Sequence, residues 1–357
     1  MPSPSTAHDT AGCEMPVPPS GCTFDPADWQ LLARHWFPVM RACDLGSAPC
    51  AALLLDQPLV LYRIGDEVVV ARDACPHRGV PLSMGHADGG GIRCRYHGLL
   101  FGMAGRCLEI PSQPRHPVSP RLHLRTFPAL ERYGLVWTCL WPAPGAEPDI
   151  PCVPLWDAAD IKHTVCPPFS INCFAGRQME GFLDVAHFAW VHHGTFADPG
   201  QRNVPPYEVV SNESGFSADY LSPVANYPRG SGLSAPPGFL WRRHFEVHLP
   251  FAATLTIHFP NAARLVVGNF ACPASALRTE MFAPIVQTFN IDQPSEQIHA
   301  FNLRVFEEDR QLAEAQRPRN LPLDVKYEAH LPADRSSLAY RRALARQGYG
   351  RFFADTA

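Results

Sequence analysis

Long hydrophobic runs are missing from this sequence of 357 residues. None approaches the roughly 18 apolar residues that a membrane-spanning helix needs, so we expect no membrane partner. The chain also lacks a basic stripe, and its net charge of −4 argues against nucleic acid as a partner. No basic segment followed by an apolar segment opens the chain, as a secretory leader would. The cytoplasm is therefore the expected compartment.

Two cofactor signatures are also missing. No Gly-x-Gly-x-x-Gly pattern follows a predicted strand, and no cysteines have the spacing of a plant-type ferredoxin. The twelve cysteines are scattered, which argues against a disulfide scaffold. Proline is abundant instead, and its 38 residues favour a loop-rich protein with strands over a helical bundle. These absences argue against a dinucleotide-binding fold and a plant-type ferredoxin centre in this chain.

Cysteine and histidine are paired in one short region of the chain. Cys75-x-His77 and Cys94-x-x-His97 are separated by 16 residues. A zinc site would usually space its cysteines by two to four residues and pair histidine with histidine. One Cys and one His from each half instead suit a two-iron, two-sulfur cluster, with Cys on one iron and His on the other.

The residues around these pairs predict where the ligands lie. Residues 59–71 and 99–108 each have the pattern of a β-hairpin, so each Cys/His pair sits on a loop that enters or leaves a strand. His86, between the two pairs, is interpreted as a surface loop residue. The sequence therefore predicts two ligand loops supported by hairpins.

A second group of ionisable residues lies in an apolar stretch with helical character, residues 179–194. Asp184 and His187 are three positions apart and so would share a helix face. His192 follows about 140° further round, so a bent or ending last turn must bring it inward, with Gly194 as the stop. Buried polar groups of this kind need partners or a metal. Two His and one carboxylate would suit a facial triad for Fe(II), with open positions for O2.

The carboxylate of such a triad must come from elsewhere in the chain. A candidate is the segment 301–310, which is predicted as a strand that leads into an acidic helix start. Spacing alone leaves Glu307, Glu308 and Asp309 open as the ligand. A simpler explanation is that these acids only stabilise the helix dipole.

The two Cys/His pairs, with their Cys75-Pro-His77-Arg-Gly and Cys94-Arg-Tyr-His97-Gly contexts, resemble the Rieske cluster motif. The cluster ligands implied by the resemblance are Cys75, His77, Cys94 and His97. It also implies an α+β protein in three parts: a disordered tail at 1–25, an all-β Rieske [2Fe-2S] domain at 26–150, and a helix-grip (START-like) catalytic domain with an antiparallel sheet and C-terminal helices at 151–357.

The segment 179–194 resembles the catalytic domain of Rieske non-haem iron oxygenases, in which an Asp-x-x-His-x4-His stretch and a later Asp hold iron. By that pattern the iron ligands are His187, His192 and Asp309. His193 is the alternative to His192. The resemblance makes Asp184 a catalytic bridging carboxylate between His187 and His97 of a neighbouring subunit.

The resemblance implies a terminal oxygenase subunit that uses a [2Fe-2S] cluster, mononuclear Fe(II), O2 and electrons from NAD(P)H. A separate reductase, with or without a ferredoxin, would deliver the electrons to a homotrimer. An aromatic or heteroaromatic small molecule would be hydroxylated or oxidatively demethylated, as in the methylxanthine N-demethylase and O-demethylase types. The alternatives are a ring-dihydroxylating dioxygenase, or a Rieske electron-transfer or ligand-binding protein without oxygenase activity.

The substrate pocket is expected to be apolar. Strands within residues 245–268 are predicted to form an antiparallel sheet beneath it, and a long proline-rich loop over 205–237 is predicted to cover it. Related sequences usually carry Asn where this chain has Gly181. That difference is expected to change the polarity near the iron without removing a ligand.

Overall fold

The computed structural model describes residues 16–354, which divide into two compact units. The first unit contains the described residues up to Cys22 together with Gln30–Ala146. The second contains Thr23–Trp29 and the chain from Glu147 onward. The division falls a few residues before the predicted domain boundary at 150. No helix within the described residues is long and apolar enough to cross a membrane.

The chain enters the fold earlier than the predicted tail at 1–25 implies. Residues 1–15 of that tail lie outside the described residues. Further on, the amide of Ala276 donates to the hydroxyl of Thr23 over 2.9 Å. The amide of Asp25 donates to the carbonyl of Phe352 over 2.6 Å, and Phe24 is buried between these contacts. The predicted tail is therefore too long.

The α-helices of the described chain are α1 (Pro26–Leu32), α2 (Ala175–Leu183), α3 (Phe188–Val191), α4 (Ser295–Ala315) and α5 (Arg335–Arg346). The strands of the first unit are β1 (Phe37–Arg41), β2 (Cys50–Leu54), β3 (Gln57–Ile64), β4 (Glu67–Arg72), β5 (His86–Asp88), β6 (Gly91–Arg93), β7 (Leu100–Phe101), β8 (Cys107–Glu109), β9 (Thr126–Phe127), β10 (Ala129–Arg132) and β11 (Leu135–Thr138). Those of the second are β12 (Lys162–Val165), β13 (Phe169–Ile171), β14 (Glu208–Ser211), β15 (Gly215–Ser222), β16 (Trp241–His248), β17 (Ala252–His258), β18 (Arg264–Ser275), β19 (Arg278–Phe282) and β20 (Pro284–Gln287).

Small antiparallel sheets build the first unit, with strand orders β1-β11-β10, β2-β3-β4-β9 and β5-β6-β7-β8. Both predicted hairpins are confirmed. β3 and β4 are joined by a tight turn in which Gly65 has a φ of 60°, which glycine adopts without strain. β7 and β8 form the second hairpin. The two candidate ligand loops therefore follow β4 and join β6 to β7.

The core of the first unit reaches into the candidate ligand loops. Cys75 and Cys94 belong to the same buried cluster as Tyr62, Ile92 and Phe101. The backbone on either side of each cysteine is consequently held by packing against strands of two sheets. This arrangement presents two thiols from the edge of a hydrophobic core.

One large antiparallel sheet organises the second unit. Its strand order is β12-β20-β18-β17-β16-β15-β14, and β13 pairs with β19, which pairs with β18. The predicted strands near residues 245–268 are confirmed as β16, β17 and β18. Within β16, burial alternates along the strand, with Trp241, Arg243, Phe245 and Val247 buried. One face of the sheet thus points into the unit, as a half-buried strand requires.

Helix α4 contains the whole segment Phe301–Arg310, so the predicted strand and helix start there are wrong. Apolar residues recur along this segment at helical spacing, and Ile298 and Phe306 pack into a cluster with Ile171 of the sheet. Asp309 lies in the last two turns of α4. It is far from the helix N-terminus, so dipole stabilisation does not account for it.

The predicted long loop over 205–237 is also wrong, because β14 and β15 lie within it. The alternating residues of β15 pair in register with β16 along its whole length. The prolines are confined to the stretches before β14 and after β15. The connection that remains runs from residue 223 to residue 240.

Helices α2 and α5 are joined by a buried group of ions. Nε of Arg341 on α5 lies 2.6 Å from Oε1 of Glu180 on α2. Nη2 of Arg177 on α2 lies 2.6 Å from Oε1 of Glu328, which also contacts Arg341. Opposite charges alternate through the group, so each buried charge has a partner. The network fixes α2 just before the residues of the second candidate site.

Candidate metal centres

The two candidate cluster loops have the same backbone design. The amide of Cys75 donates to the carbonyl of Val80 over 2.9 Å, and the amide of Gly79 donates back to Cys75 over 2.8 Å. The second loop repeats both bonds from Cys94, over 2.9 and 3.0 Å. Gly79 and Gly98 occupy the same place and have φ values of 72° and 73°. Glycine is needed there because other residues adopt this conformation only with strain.

The side chains of these loops separate into an inner and an outer pair. Cys75 and Cys94 are only 3% and 2% exposed. His77 and His97 are exposed, and their ring centroids lie 4.6 Å apart. Burial raises the pKa of the Cys75 thiol to about 11, so its thiolate form needs a cation against it. The arrangement presents two thiols on the inside and two imidazoles on the surface.

This separation fits a two-iron cluster better than a single zinc ion. One tetrahedral ion would draw all four donors into one sphere. Among residues 16–354, three or more donors close enough for one ion are found only at His187, His192 and Asp309. In a Rieske cluster, by contrast, the cysteines bind one iron and the histidines the other. The four side chains of the first unit match that division.

Arg93 braces the second cluster loop. Its Nη1 donates to the carbonyl of Gly98 over 2.6 Å. Its other nitrogens contact Asp88 over 2.6 Å and Glu109 over 2.7 Å. The carbonyl that follows His97 is therefore fixed by a side chain that two carboxylates hold in place. Arg93 had no recognisable signal in the sequence, because its partners come from two other strands of the same sheet, Asp88 from β5 and Glu109 from β8.

The second unit brings His187, His192 and Asp309 together, with donor atoms all within 4.8 Å of one another. Nε2 of His187 is 3.0 Å from Nε2 of His192. Oδ1 of Asp309 lies 3.5 Å from Nε2 of His187 and 3.2 Å from Nε2 of His192. The three donors form a small triangle between the α2–α3 region and α4.

This triangle has the dimensions of one face of an octahedron around a metal ion. Donors about 2.1 Å from an ion and at right angles to one another are about 3.0 Å apart. Two imidazoles and a carboxylate on one face are the donor set of non-haem Fe(II) oxygenases, and the opposite face stays open. The residues therefore fit a mononuclear iron.

The electrostatics of His192 also favour a cation at the triangle. Burial lowers its pKa, but hydrogen bonds and charges from Asp309 and Glu308 raise it above the ordinary value overall. Carboxylates that favour positive charge at this ring also favour a divalent cation beside it, and the metal binds the neutral imidazole.

The segment 179–194 is a helix, an extended corner and a second short helix. α2 ends at Leu183, and Asp184 has extended backbone angles. The prediction that Asp184 and His187 share one helix face is therefore wrong. α3 follows, and a 3-10 turn over His192–Gly194 ends it, as the spacing of the histidines required. This turn places the His192 side chain inside the unit, only 2% exposed.

Asp184 still lies next to His187, through a different local structure. Its Oδ1 accepts the amide of Ala186 over 2.6 Å, which closes a tight turn. The same oxygen is 3.8 Å from Nδ1 of His187. Burial raises the pKa of Asp184, but His187 and the amides lower it below the ordinary value overall. The carboxylate therefore faces the back of the His187 ring and leaves Nε2 free for a metal.

The structure assigns different places to the three acids that the sequence left open. Asp309 lies in the triangle. Glu308 lies behind His192, with Oε2 2.9 Å from its Nδ1, and also accepts the hydroxyl of Thr195 over 2.8 Å. Glu307 pairs with Arg310 at the surface. Successive helical residues point about 100° apart, so one acid can bind a metal while the next orients its histidine ligand.

His193, the alternative to His192, does not face the triangle. It is exposed, and its Nδ1 contacts the carbonyl of Trp190 over 2.8 Å. The adjacent turn at Gly194 directs the two neighbouring rings to opposite sides. His192 is thus the histidine that the fold brings to the site.

A cavity of about 230 Å³ opens beside the triangle. Its wall is largely apolar, with side chains from the inner face of the sheet and from α4. Gln178 and Asn269 pair through their amides at its base, over 2.8 and 3.2 Å. Gly181 also lines it, and a Cβ there would meet nothing within 4 Å. The apolar residues of the wall include Phe182, Phe188, Phe196, Leu255, Ile257, Leu265, Val267, Phe301, Val305 and Phe306.

Comparisons with known proteins identify the family. The sequence model of the Rieske [2Fe-2S] domain matches residues 35–128, and that of the vanillate O-demethylase oxygenase C-terminal domain matches residues 171–348. Methylxanthine N1-demethylase NdmA of Pseudomonas putida is 31% identical over 328 residues, which cover 88% of this chain and 89% of NdmA. The chain belongs to the Rieske non-haem iron oxygenases. Its predicted family and α+β fold are confirmed.

Solved structures agree with this membership. The structure of Pseudomonas putida CBB5 NdmA with caffeine has a TM-score of 0.77 and 28% identity, covering 88% of this oxygenase and 90% of that chain. A second sequence relative gives the same result: methylxanthine N3-demethylase NdmB of Pseudomonas putida is 30% identical over 329 residues, which cover 88% of this chain and 89% of NdmB. The oxygenase therefore uses a [2Fe-2S] cluster, a mononuclear iron, O2 and electrons from NAD(P)H to oxidise an aromatic small molecule. Family members receive those electrons from separate reductase components.

Proposed function

We propose that this chain is the terminal oxygenase of a demethylating system in the cytoplasm, where NAD(P)H is produced. One observation carries the proposal: three donor atoms, 3.0 to 3.5 Å apart, face an apolar cavity. His187, His192 and Asp309 hold the iron, and Cys75, His77, Cys94 and His97 hold the cluster. Iron in that position supplies the activation of O2.

The chain's own residues prepare this site. Glu308 accepts from Nδ1 of His192, and Asp184 faces Nδ1 of His187, so both rings present Nε2 to the metal. The apolar wall keeps water from the reacting centre and positions a flat ring. The amides of Gln178 and Asn269 pair with each other, which gives the apolar wall one neutral polar patch.

Demethylation is favoured over ring dihydroxylation by the relatives that match over most of their length. Both NdmA and NdmB are N-demethylases, and each is covered to 89%. The 3-chlorobenzoate-3,4-dioxygenase oxygenase subunit of Comamonas testosteroni matches over only 38% of its length. Oxidation of a methyl C–H bond gives an N- or O-hydroxymethyl group, which releases formaldehyde. The substrate is accordingly a methylated aromatic or heteroaromatic molecule.

We propose further that three copies assemble head to tail. The side chain of Asp184 is 37% exposed, and His97 is exposed on the surface of the first unit. Each is thus available to a second copy of the chain, in which Asp184 would hydrogen-bond the neighbour's His97. The exposed imidazoles also leave the cluster accessible to a reductase or a ferredoxin.

Iron analysis combined with turnover tests the proposal. The reconstituted wild-type protein is expected to contain about three irons per chain and, with a surrogate NAD(P)H reductase, to release formaldehyde from methylated heteroaromatics. Asp309→Ala should lose one of those irons and at least about 100-fold in turnover, while the cluster spectrum stays unchanged. Glu307→Ala, on the exposed side of the same helix, is the matched control and should keep all three.

Two irons in the wild-type protein, or full turnover by Asp309→Ala, would contradict the assignment. Hydroxylated products without formaldehyde would retain the oxygenase and remove the demethylase. An active wild type that stays monomeric would remove the trimer.

A further inference from the structure

Strand β16 carries a cation in its inward row. Trp241, Phe245 and Val247 on that row are apolar, as a strand face that lines a core should be. Arg243 occupies the same row and is only 1% exposed. Its neighbour Arg242 points outward and pairs with Asp219 over 2.6 Å. The two adjacent arginines thus sit in opposite environments.

The guanidinium of Arg243 has no anionic partner within the described chain. Nη2 donates to the backbone carbonyl of Val224 over 3.0 Å. It also makes two longer bonds of 3.4 Å, to the backbone carbonyl of Ala225 and to the side-chain Oδ1 of Asn226. Nη1 donates to Ser222 Oγ over 3.4 Å. Nε has no acceptor among residues 16–354, and no carboxylate of those residues lies within 4 Å. Its hydrogen bonds are therefore partly satisfied, but its charge is not compensated.

Such a charge is costly to bury. Desolvation lowers the pKa of Arg243 to about 10, which still leaves it charged at neutral pH. The other buried cation of the cavity wall, Arg177, differs because it contacts Glu180 and Glu328. A buried charge is normally paired with an opposite charge, or the group becomes neutral. An anion inside the cavity would supply the missing partner.

Arg243 lines the same cavity as the candidate iron ligands. Its guanidinium carbon lies 5.3 Å from the ring centroid of Phe188. That ring lies 5.0 Å from the ring of His187 and 6.0 Å from the ring of His192. The ring of Phe188 thus lies near both the guanidinium and the two histidines, and the gap between cation and triangle is about the length of one aromatic ring. A ligand with one ring could contact both ends.

We propose that Arg243 binds the negatively charged group of the substrate, a carboxylate or a sulfonate on an aromatic ring, and so directs the opposite end of that ring to the iron. This inference rests on the proposed oxygenase function and adds the charge of its substrate. The planar guanidinium suits both oxyanions because it donates parallel N–H bonds. A neutral ring of equal shape would leave the buried charge uncompensated.

Binding to the anaerobic holoenzyme tests the proposal without turnover. The probes are 4-methoxybenzoate, 4-methoxybenzenesulfonate and the neutral 4-methoxybenzamide, titrated by tryptophan fluorescence. The wild type should bind one or both anions about 10- to 100-fold more tightly than the amide, as hydrogen bonds to a buried charged group predict. The preferred anion distinguishes a carboxylate site from a sulfonate site.

Substitutions then locate the preference. Arg243→Met should bring anion and amide binding to within about twofold, and Arg243→Lys should keep part of the preference because it keeps the charge. Arg242→Met, on the outward face of the same strand, should change neither affinity. A role for Arg243 limited to holding residues 223–240 would lower all three affinities together and leave their ratio intact, which overturns the proposal.

The outcomes separate this proposal from the demethylase assignment. Equal binding of amide and anions by the wild type overturns it even if Arg243→Met fails to fold. Formaldehyde from the neutral probe caffeine, together with no preference for anions, removes the anion site and keeps the demethylase. Tight anion binding without formaldehyde from any methoxy probe keeps the anion site and removes the demethylase.

Discussion

The four candidate cluster ligands lie between Cys75 and His97, whereas the donors of the second site extend from His187 to Asp309. The first group stands on two loops of the same design, each closed by its own backbone hydrogen bonds. The second is completed by a helix from a distant part of the chain. The first site is therefore built by local structure, and the second by packing.

This difference has a structural consequence. In the first unit, spacing and two glycines are enough to direct the ligands, because each loop returns on itself within a few residues. In the second unit, three successive acids on α4 are equally good candidates for the metal ligand when only the local sequence is considered. Only the rotation of α4 against the α2–α3 region separates Asp309 from Glu308. Substitutions in the first unit should therefore affect the cluster, and substitutions in the second should affect the mononuclear iron.

The largest expected effect is that of Cys94→Ser. It should abolish the cluster absorbance and turnover completely, because serine does not replace a thiolate ligand. The second unit should keep about one iron per chain, since its three donors all lie within that unit. Iron analysis with visible spectroscopy measures both, and Cys43→Ser, at an exposed cysteine, is the control. Loss of both metals together would contradict the independence of the two sites.

Glu308→Ala should weaken binding of the mononuclear iron by about 10- to 100-fold, because His192 loses the acceptor that orients its ring. The cluster should be unaffected. Iron retention during dialysis against a graded chelator measures the change. Glu308→Gln keeps an acceptor and should fall between wild type and Glu308→Ala. An unchanged iron affinity in Glu308→Ala would show that packing alone positions His192.

A smaller effect is expected from Glu328→Gln, in the ion group that joins α2 to α5. Burial raises the pKa of Glu328, but Arg177 and Arg341 lower it below the ordinary value overall. Its ionised form thus stabilises the fold at neutral pH, and this contribution is lost as the pH falls through the lowered folded-state pKa. The partly exposed carboxylate should contribute about 1 kcal/mol.

Thermal unfolding at several pH values tests whether the stabilisation by Glu328 is lost in acid. Glu328→Gln should unfold at a lower temperature than wild type at pH 7, and the gap should close below about pH 4. Glu213→Gln, at an exposed turn, should follow the wild type throughout. A gap that widens in acid would mean that the ion group does not stabilise the fold through its charge.

The smallest expected effect is a gain in stability from Gly181→Ala. The position is helical and a Cβ there meets nothing within 4 Å, so the free energy of unfolding should rise by about 0.5–1 kcal/mol. Gly176→Ala in the same helix is the matched contrast. Its Cβ would lie 2.5 Å from the buried ring of Phe174, so stability should fall. Denaturant unfolding of both variants distinguishes helix propensity from packing.

The sequence predicted the elements whose signals are local. The hairpins, the paired loops and the strands β16 to β18 all follow from glycine positions and alternating hydrophobicity. The errors occurred where neighbours outside the segment decide the structure. The acidic stretch near residue 305 suggested a helix start, but its apolar residues pack against the sheet and make it the second half of α4. The corner at Asp184 was likewise invisible, because its neighbours are good helix formers.

The sequence by itself determined that the chain carries a Rieske motif and a histidine pair fit for iron, because ligand type and spacing are written in consecutive residues. Only the tertiary structure decided which acid completes the triangle, that Glu308 supports His192, and that Arg243 lies uncompensated in the cavity wall. These facts depend on how α4 is rotated about its axis and on which face of β16 points inward. Both are set by the burial of side chains from distant parts of the chain.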